Sequence, residues 1–304
     1  MPGAGCGPDD GPSTRALYRD RAVTTTWVSD QPPPPMGRVT PRGWLRVLRR
    51  VLPAAGALLL GLGALVILRL LERPLAGQRR PLSPLAVVLT CRAVLACFGI
   101  RRTRRGQPMR GRGALVANHV SWLDILVLNA NAPVFFVSKA EVATWPGVGL
   151  LARLAGTLFI RRDKREADIQ RAAFELRLHA HQRLLFFPEG TSTDGHRVLG
   201  FKPTLFAAFF TDSLRADMQI QPVTLAYHAP RGEDARFYGW WGDMDFGAHM
   251  LHVLSAPAQG AVEVIFHQEK PVDAFPNRKT LARTMEQTVR GGLAALPNAQ
   301  RGQP

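Results

Sequence analysis

The stretch 115–128, LVANHVSWLDILVL, decides the fold through one change of period. Residues 114–118, ALVAN, form a short apolar run that reads as a strand. From Ser121 the spacing turns helical, and S-W-L-D (121–124) has the S-x-x-[DE] form of a capping box, with Ser121 as the cap and Asp124 at the third helical position. A strand that breaks into a helix within a few residues is a β-to-α junction of an α/β sheet. His119 falls in the break. Inside one continuous helix, five steps of ~100° would hold His119 and Asp124 about 140° apart. Across a junction the imidazole can fold back over the helix end. One ring nitrogen then meets the carboxylate and the other remains a proton acceptor. The same residues also have an ordinary structural reading, as a helix cap and a loop histidine.

Outward from this junction the alternation continues. VFFVSK (134–139), TLFIR (157–161), LLFFP (184–188), IQPVTLAY (220–227) and AVEVIFH (261–267) read as strands. Helical spacing occupies 121–130, a region up to about 155, 164–182, 203–215 and 276–296. In 164–182, Ile169, Ala172, Ala173 and Leu176 share a face. The expected class is α/β, a mixed sheet flanked by helices and preceded by N-terminal membrane-associated helices.

Charge divides the chain differently. Residues 1–112 hold 19 Lys+Arg against 5 Asp+Glu, whereas 113–304 hold 20 against 18. The basic third also contains VLPAAGALLLGLGALVIL (51–68), without a charge, flanked by Arg46, Arg49 and Arg50 before and Arg69, Arg73, Arg79 and Arg80 after. A helix over this run is about 27 Å long, close to the ~30 Å hydrocarbon core. Arginines at both ends leave spanning and in-plane insertion equally open. The run 84–100 is interrupted by Arg92 and reads as an interfacial or buried helix. A cleavable signal is excluded by position and flanks.

Three divisions follow: a Gly/Pro/Ser-rich tail 1–37 read as disordered, with Met36 an alternative start; a basic membrane-associated section 38–112; and an α/β domain 113–304. The arginine-rich 101–113 is read as holding lipid head groups rather than nucleic acid. Cys6, Cys91 and Cys97 match no metal spacing and fit a reducing compartment. His179 with His181 and His249 with His252 are too sparse for a metal site.

A His–Asp pair has the orienting logic of a serine triad, but no G-x-S-x-G occurs to supply the nucleophile. It suits a reaction whose substrate brings the hydroxyl. A second constellation is RLLFFPEGTSTDG (183–195): Gly190 permits close backbone approach, and Thr191, Ser192 and their amides could hold an anion. Arg161 and Arg162 end another strand and could clamp a phosphate or carboxylate. Two other classes compete with a transferase: a non-catalytic, membrane-tethered basic binding protein, and a lipase or esterase.

In order, NHVSWLD, GTLFIRR, FPEGT and QPV behind a basic apolar section resemble the lysophospholipid acyltransferase family over roughly residues 80–270. The resemblance implies His119 as general base and Asp124 as its orienting partner. It implies Arg162, with Arg161 where the family is usually acidic, and Glu189, Gly190 and Thr191 in binding the acceptor's head. Ser192 stands where the family commonly has arginine. Pro222 matches the block associated with the acyl-donor site. The implied reaction moves an acyl group from acyl-CoA or acyl carrier protein to a lysolipid hydroxyl without a bound cofactor or metal. The leading acceptor is 1-acyl-glycerol-3-phosphate. Lyso-ornithine lipid is the alternative, since YGWWGDMDFGAHM (238–250) resembles a segment of that branch, where Trp240, Trp241 and Asp243 could shape a pocket. The implied partners are membrane lipids, the lysolipid acceptor and acyl carrier protein, with no nucleic acid, and the implied location is the cytoplasmic face of a bacterial inner membrane.

Overall fold

The computed structural model describes residues 26–77, 79–145, 147–161 and 167–296. Helix α1 (Pro41–Ala76) starts on Thr40, whose hydroxyl oxygen accepts the Gly43 N–H, and carries proline at its first position. Helix α2 (Ser83–Phe98) folds back along it. Glu72 of α1 accepts the N–H groups of Leu82 and Ser83, capping α2 with negative charge at its positive end. The helices touch closely because residue 61 is glycine: a Cβ there would overlap the Thr90 side chain.

Next come β1 (Arg101–Arg105), β2 (Gly113–Ala117), α3 (Leu123–Asn131), β3 (Phe135–Lys139), α4 (Val148–Ala155), β4 (Leu158–Ile160), α5 (Ala167–His179) and β5 (Leu184–Phe186). Beyond them lie β6 (Gln219–His228), α6 (Phe246–Ser255), β7 (Ala261–Phe266), β8 (Lys270–Pro271) and α7 (Arg278–Ala294). The strands make one mixed sheet in the order β1-β7-β6-β2-β5-β3-β4, with β8 against β6. Strand β2 is parallel to β5 and β6, and β3 to β4 and β5, while β7 is antiparallel to β6. The α/β expectation holds, with helices on both faces.

Alternation along β2 assigns the layers. Leu115 and Ala117 enter a core shared with α2, α3 and α6, whereas Ala114 and Val116 enter one shared with α5, α7 and the turn 203–210. All five residues of β2 are buried, as a strand covered on both faces requires.

Four expectations are corrected. Residues 101–105, read as part of the basic membrane-associated section, form edge strand β1, paired in parallel with β7, and Arg105 meets Glu263 across the pair. The sheet therefore begins before residue 113. Of the run 203–215 read as helical, residues 203–210 are helical, in 3₁₀ form, and the helix stops at Phe210. The buried side of α5 is Phe174 and Leu178; Ile169 and Leu176 are exposed, because the larger ring of Phe174 takes the site against Phe209. Residues 26–37, read as part of a disordered tail, lie within the described chain and dock on the domain.

Helix α1 is long and apolar enough to cross a membrane, with a window of mean hydropathy 2.4 of which only 11% is buried. Yet both its ends hold the domain. Arg50 donates to the carbonyls of Leu254 and Ala256 at 2.7 and 2.8 Å, capping the C-terminus of α6. About 28 Å along the helix, Leu65 and Arg69 line a crevice with Val134, Phe135 and Ala155.

Candidate active site

The C-terminal ends of β2, β5, β3 and β4 open on the same edge of the sheet, the edge where α/β proteins bind ligands. Asn118 closes β2. Its buried amide accepts the Leu225 N–H at 2.7 Å and donates to the Leu225 carbonyl at 2.9 Å, continuing the ladder to β6 with a side chain. His119 then leaves the sheet from a clamped position.

Its Nδ1 lies 2.7 Å from Asp124 Oδ2. The same oxygen accepts the N–H groups of Val120 and Ser121 at 2.7 and 3.1 Å, and Oδ1 accepts the Tyr227 hydroxyl at 2.7 Å. Asp124 is fully buried, so these donors take the place of water. Because a carboxylate only accepts, Nδ1 carries the hydrogen and Nε2 is left basic. Nε2 has no hydrogen-bond partner among the described residues, on a side chain 21% exposed. Phe187 stacks on the imidazole at 4.0 Å between centroids and 9° between planes. The capping expectation is half met: Asp124 reaches back to the Ser121 N–H, but the Ser121 hydroxyl is buried and bonds to nothing.

Glu189 faces inward. Its Oε1 accepts the His119 N–H at 2.8 Å and its Oε2 the Leu199 N–H at 2.7 Å. Burial, and more weakly Asp124, push its pKa up to about 8 against the pull of those two N–H groups. It therefore braces the His119 loop from within the domain. Gly190, at φ 73°, turns the chain in the left-handed region and donates to the Phe187 carbonyl. Thr193 donates its N–H to the His119 carbonyl at 2.9 Å, so the 187–193 loop holds the histidine from both sides. The amides of residues 119–121 are spent on Glu189 and Asp124, whereas those of Glu189, Thr191 and Ser192 have no partner among the described residues.

Other predicted residues are scattered. Pro222 is buried inside β6 opposite Val116, and its carbonyl accepts the His267 N–H at 3.1 Å, which places it in the sheet interior. Arg161 is exposed beyond β4, three strands from β2, about 14 Å at ~4.8 Å per strand. Arg162 lies outside the described residues. Ser192 is buried. Trp241 is buried and Asp243 exposed, and Trp240 donates its backbone N–H to the Val120 carbonyl, which lays the 238–242 segment along the His119 loop. His249 is buried with its pKa lowered to about 4 by that burial, and its Nδ1 accepts the Trp122 indole N–H at 3.1 Å. His179 meets Arg112.

Sequence reasoning missed Asn118, Phe187 and Tyr227. The first had a signal: an amide closing an apolar strand needs a partner for both its ends. Also missed was Trp27, whose N–H donates to Thr191 Oγ1 at 3.2 Å. Its ring lies 6.2 Å from that of Trp241 and 5.0 Å beneath the Arg197 guanidinium, while Arg236 donates to the Pro32 carbonyl.

A histidine oriented by a buried carboxylate, bonded to no serine or cysteine among the described residues, stands at the ligand edge of a mixed α/β sheet, an arrangement suited to activating a hydroxyl brought by a substrate. Comparison with known proteins narrows that class. The acyltransferase family model matches residues 100–226, which contain both members of the pair. The chain is 51% identical over 274 residues to the lyso-ornithine lipid O-acyltransferase of Rhodobacter capsulatus, covering 88% of this chain and 96% of that one. It is 38% identical to the 1-acyl-sn-glycerol-3-phosphate acyltransferase of Neisseria meningitidis over 49% of this chain and 58% of that one. The fold matches the crystal structure of the 1-acyl-sn-glycerophosphate acyltransferase PlsC of Thermotoga maritima with a TM-score of 0.61 at 18% identity, over 83% and 95% of the two chains. The chain belongs to the lysophospholipid acyltransferase family.

Proposed function

We propose that this protein transfers a fatty acyl group from an acyl thioester, of coenzyme A or acyl carrier protein, to the free hydroxyl of lyso-ornithine lipid. One observation carries the chemistry: His119 Nδ1 is engaged by Asp124 at 2.7 Å, with Nε2 unpartnered among the described residues on a side chain 21% exposed. Nε2 takes the proton as the acceptor oxygen attacks the thioester carbonyl. The amides of Thr191 and Ser192 are available donors for the oxyanion. As the tetrahedral intermediate collapses, the carbon–sulfur bond breaks and the imidazolium returns its proton to the departing sulfur.

The acceptor is chosen by similarity and by one departure. The Rhodobacter relative aligns along nearly its whole length, the glycerol-phosphate relative along about half of this chain. Ser192 replaces the arginine that a phosphate-binding block commonly carries. Lyso-ornithine lipid therefore displaces 1-acyl-glycerol-3-phosphate as the leading acceptor. The exposed apolar side of α1, with Leu59, Leu60, Leu70 and Leu75, supports attachment to a bilayer. A helix held by the domain at both ends favours lying in the interface over crossing it. The cytoplasmic face of a bacterial inner membrane, where thioesters are available, is the location this reading adopts.

The test is an acceptor panel with purified enzyme and one labelled thioester. Lyso-ornithine lipid is expected to be acylated, with lysophosphatidic acid at least about tenfold slower. Preference for lysophosphatidic acid would overturn the acceptor, and no transfer to any lysolipid would overturn the reaction.

A further inference from the structure

The Tyr227 hydroxyl donates to Asp124 at 2.7 Å, on the carboxylate oxygen that His119 does not use. We infer that Tyr227 is a positioning residue that sets the basicity of His119 by drawing charge from Asp124. This rests on the acyl-transfer reading above but concerns a residue that reading does not employ.

The geometry is specific. Tyr227 stands on β6, which is parallel to β2, one strand over, so the sheet itself brings the phenol beneath the helix that carries Asp124. Oδ2 already serves three donors, and Oδ1 has Tyr227 alone. Without the phenol, Oδ1 would be a buried acceptor with no partner and the carboxylate a stronger one toward His119. Charged or titratable groups reach this pair from several elements: Asp194 and His196 share a crevice with Tyr227, and Arg50 of α1 acts on Tyr238. His119 lies on the β2–α3 loop, Glu189 on the β5 loop, and Tyr238, 5.4 Å from Tyr227 between ring centroids, before α6. Glu189 in turn faces Arg290 on α7. None of these places a cation on Asp124. Burial, then Asp124, hold the Tyr227 pKa well above its usual 10, so the phenol keeps its proton throughout the working range.

Catalysis at His119 requires the neutral imidazole. A phenol that shares the Asp124 charge lowers the stability of the imidazolium and so lowers the pH at which the base becomes available. Tyr227→Phe removes the donor and keeps the ring. Removing it raises the His119 pKa, and the acid limb of the kcat/KM profile moves up by roughly 0.5–1 pH unit. Below the limb, activity falls by about three- to tenfold, the factor that displacement sets, and it recovers at alkaline pH, with KM for the thioester changed less than about twofold.

Tyr238→Phe is the control, since its hydroxyl bonds Gln259 and the Gly260 N–H and not Asp124. Incorporating 3-fluorotyrosine at 227 retains the shape and strengthens the donor, which is expected to move the limb down. The His119 titration followed by nitrogen NMR in the full chain reads the same effect without any acceptor, so failure of the acyl-transfer reading would be seen separately. An unchanged His119 pKa in Tyr227→Phe, or an equal shift in Tyr238→Phe, would overturn the inference. If Tyr227→Phe does not fold, an unmoved or upward limb in the fluorotyrosine protein does so.

Discussion

Two neighbouring regions of this molecule are built in opposite ways. Around Asp124 each carboxylate oxygen is partnered by a named donor, the group is sealed from water, and the donors come from the β2–α3 loop and β6. Around Thr191, the covering segment Trp27–Pro32 is held by one long hydrogen bond, a tilted ring contact with Trp241, a guanidinium over a ring, and a carbonyl contact. Buried, saturated networks are rigid and costly to disturb. Exposed single contacts open readily. On the proposed function, proton transfer belongs to the first region, and the second is the part free to adjust.

The largest expected effect falls on the rigid side. His119→Ala should lower kcat by about 10³-fold or more in purified enzyme with membrane association intact; unimpaired turnover would break the comparison at its root. Asp124→Asn is expected to cost about 10²-fold, because an amide must point a donor at either His119 and the two backbone N–H groups or at Tyr227. The same variant should lower the thermal midpoint, which separates it from a purely electrostatic change.

Two stability measurements sharpen the picture. Asn118→Ala leaves both backbone groups of Leu225 without partners and should cost about 1–3 kcal/mol in denaturant unfolding. Glu189 has a folded pKa raised to about 8, above its ordinary 4.5, so the folded state binds its proton more tightly than the unfolded one. Its contribution is therefore greatest below about pH 4.5 and is lost as pH rises through about 8. Glu189→Gln should flatten stability against pH across that window by about 1–3 kcal/mol; an unchanged slope would show that the brace titrates elsewhere.

The smallest effect is expected on the loose side. Trp27→Ala should uncover Thr191 and lower KM for the acceptor about two- to fivefold with kcat unchanged, the scale of one exposed cation–π contact. A fall in kcat instead would place Trp27 with the rigid machinery.

Much of this was legible in order along the chain. The α/β alternation, the junction at His119 and the pairing with Asp124 are local, since strand and helix periods and a five-residue spacing are written in adjacent residues. The four blocks identified the family by the same local logic. The edge strand 101–105 was not legible, because five residues with four arginines lack an apolar signature; only pairing to β7 makes them a strand. The face of α5 was misread because two small alanines and two aliphatics match the period as well as Phe174 and Leu178 do, and the neighbouring Phe209 decides.

By itself, then, the order of residues determined which side chains could do proton chemistry, because the histidine and the carboxylate that can orient it stand five residues apart across a strand-to-helix junction. What only the tertiary structure decided was who holds them. Asn118 to Leu225, Asp124 to Tyr227 and Glu189 to the His119 amide join residues 70 to 107 positions apart. Such partners are chosen by strand order and burial, where a polar group sealed from water must take whatever donor or acceptor the sheet sets beside it.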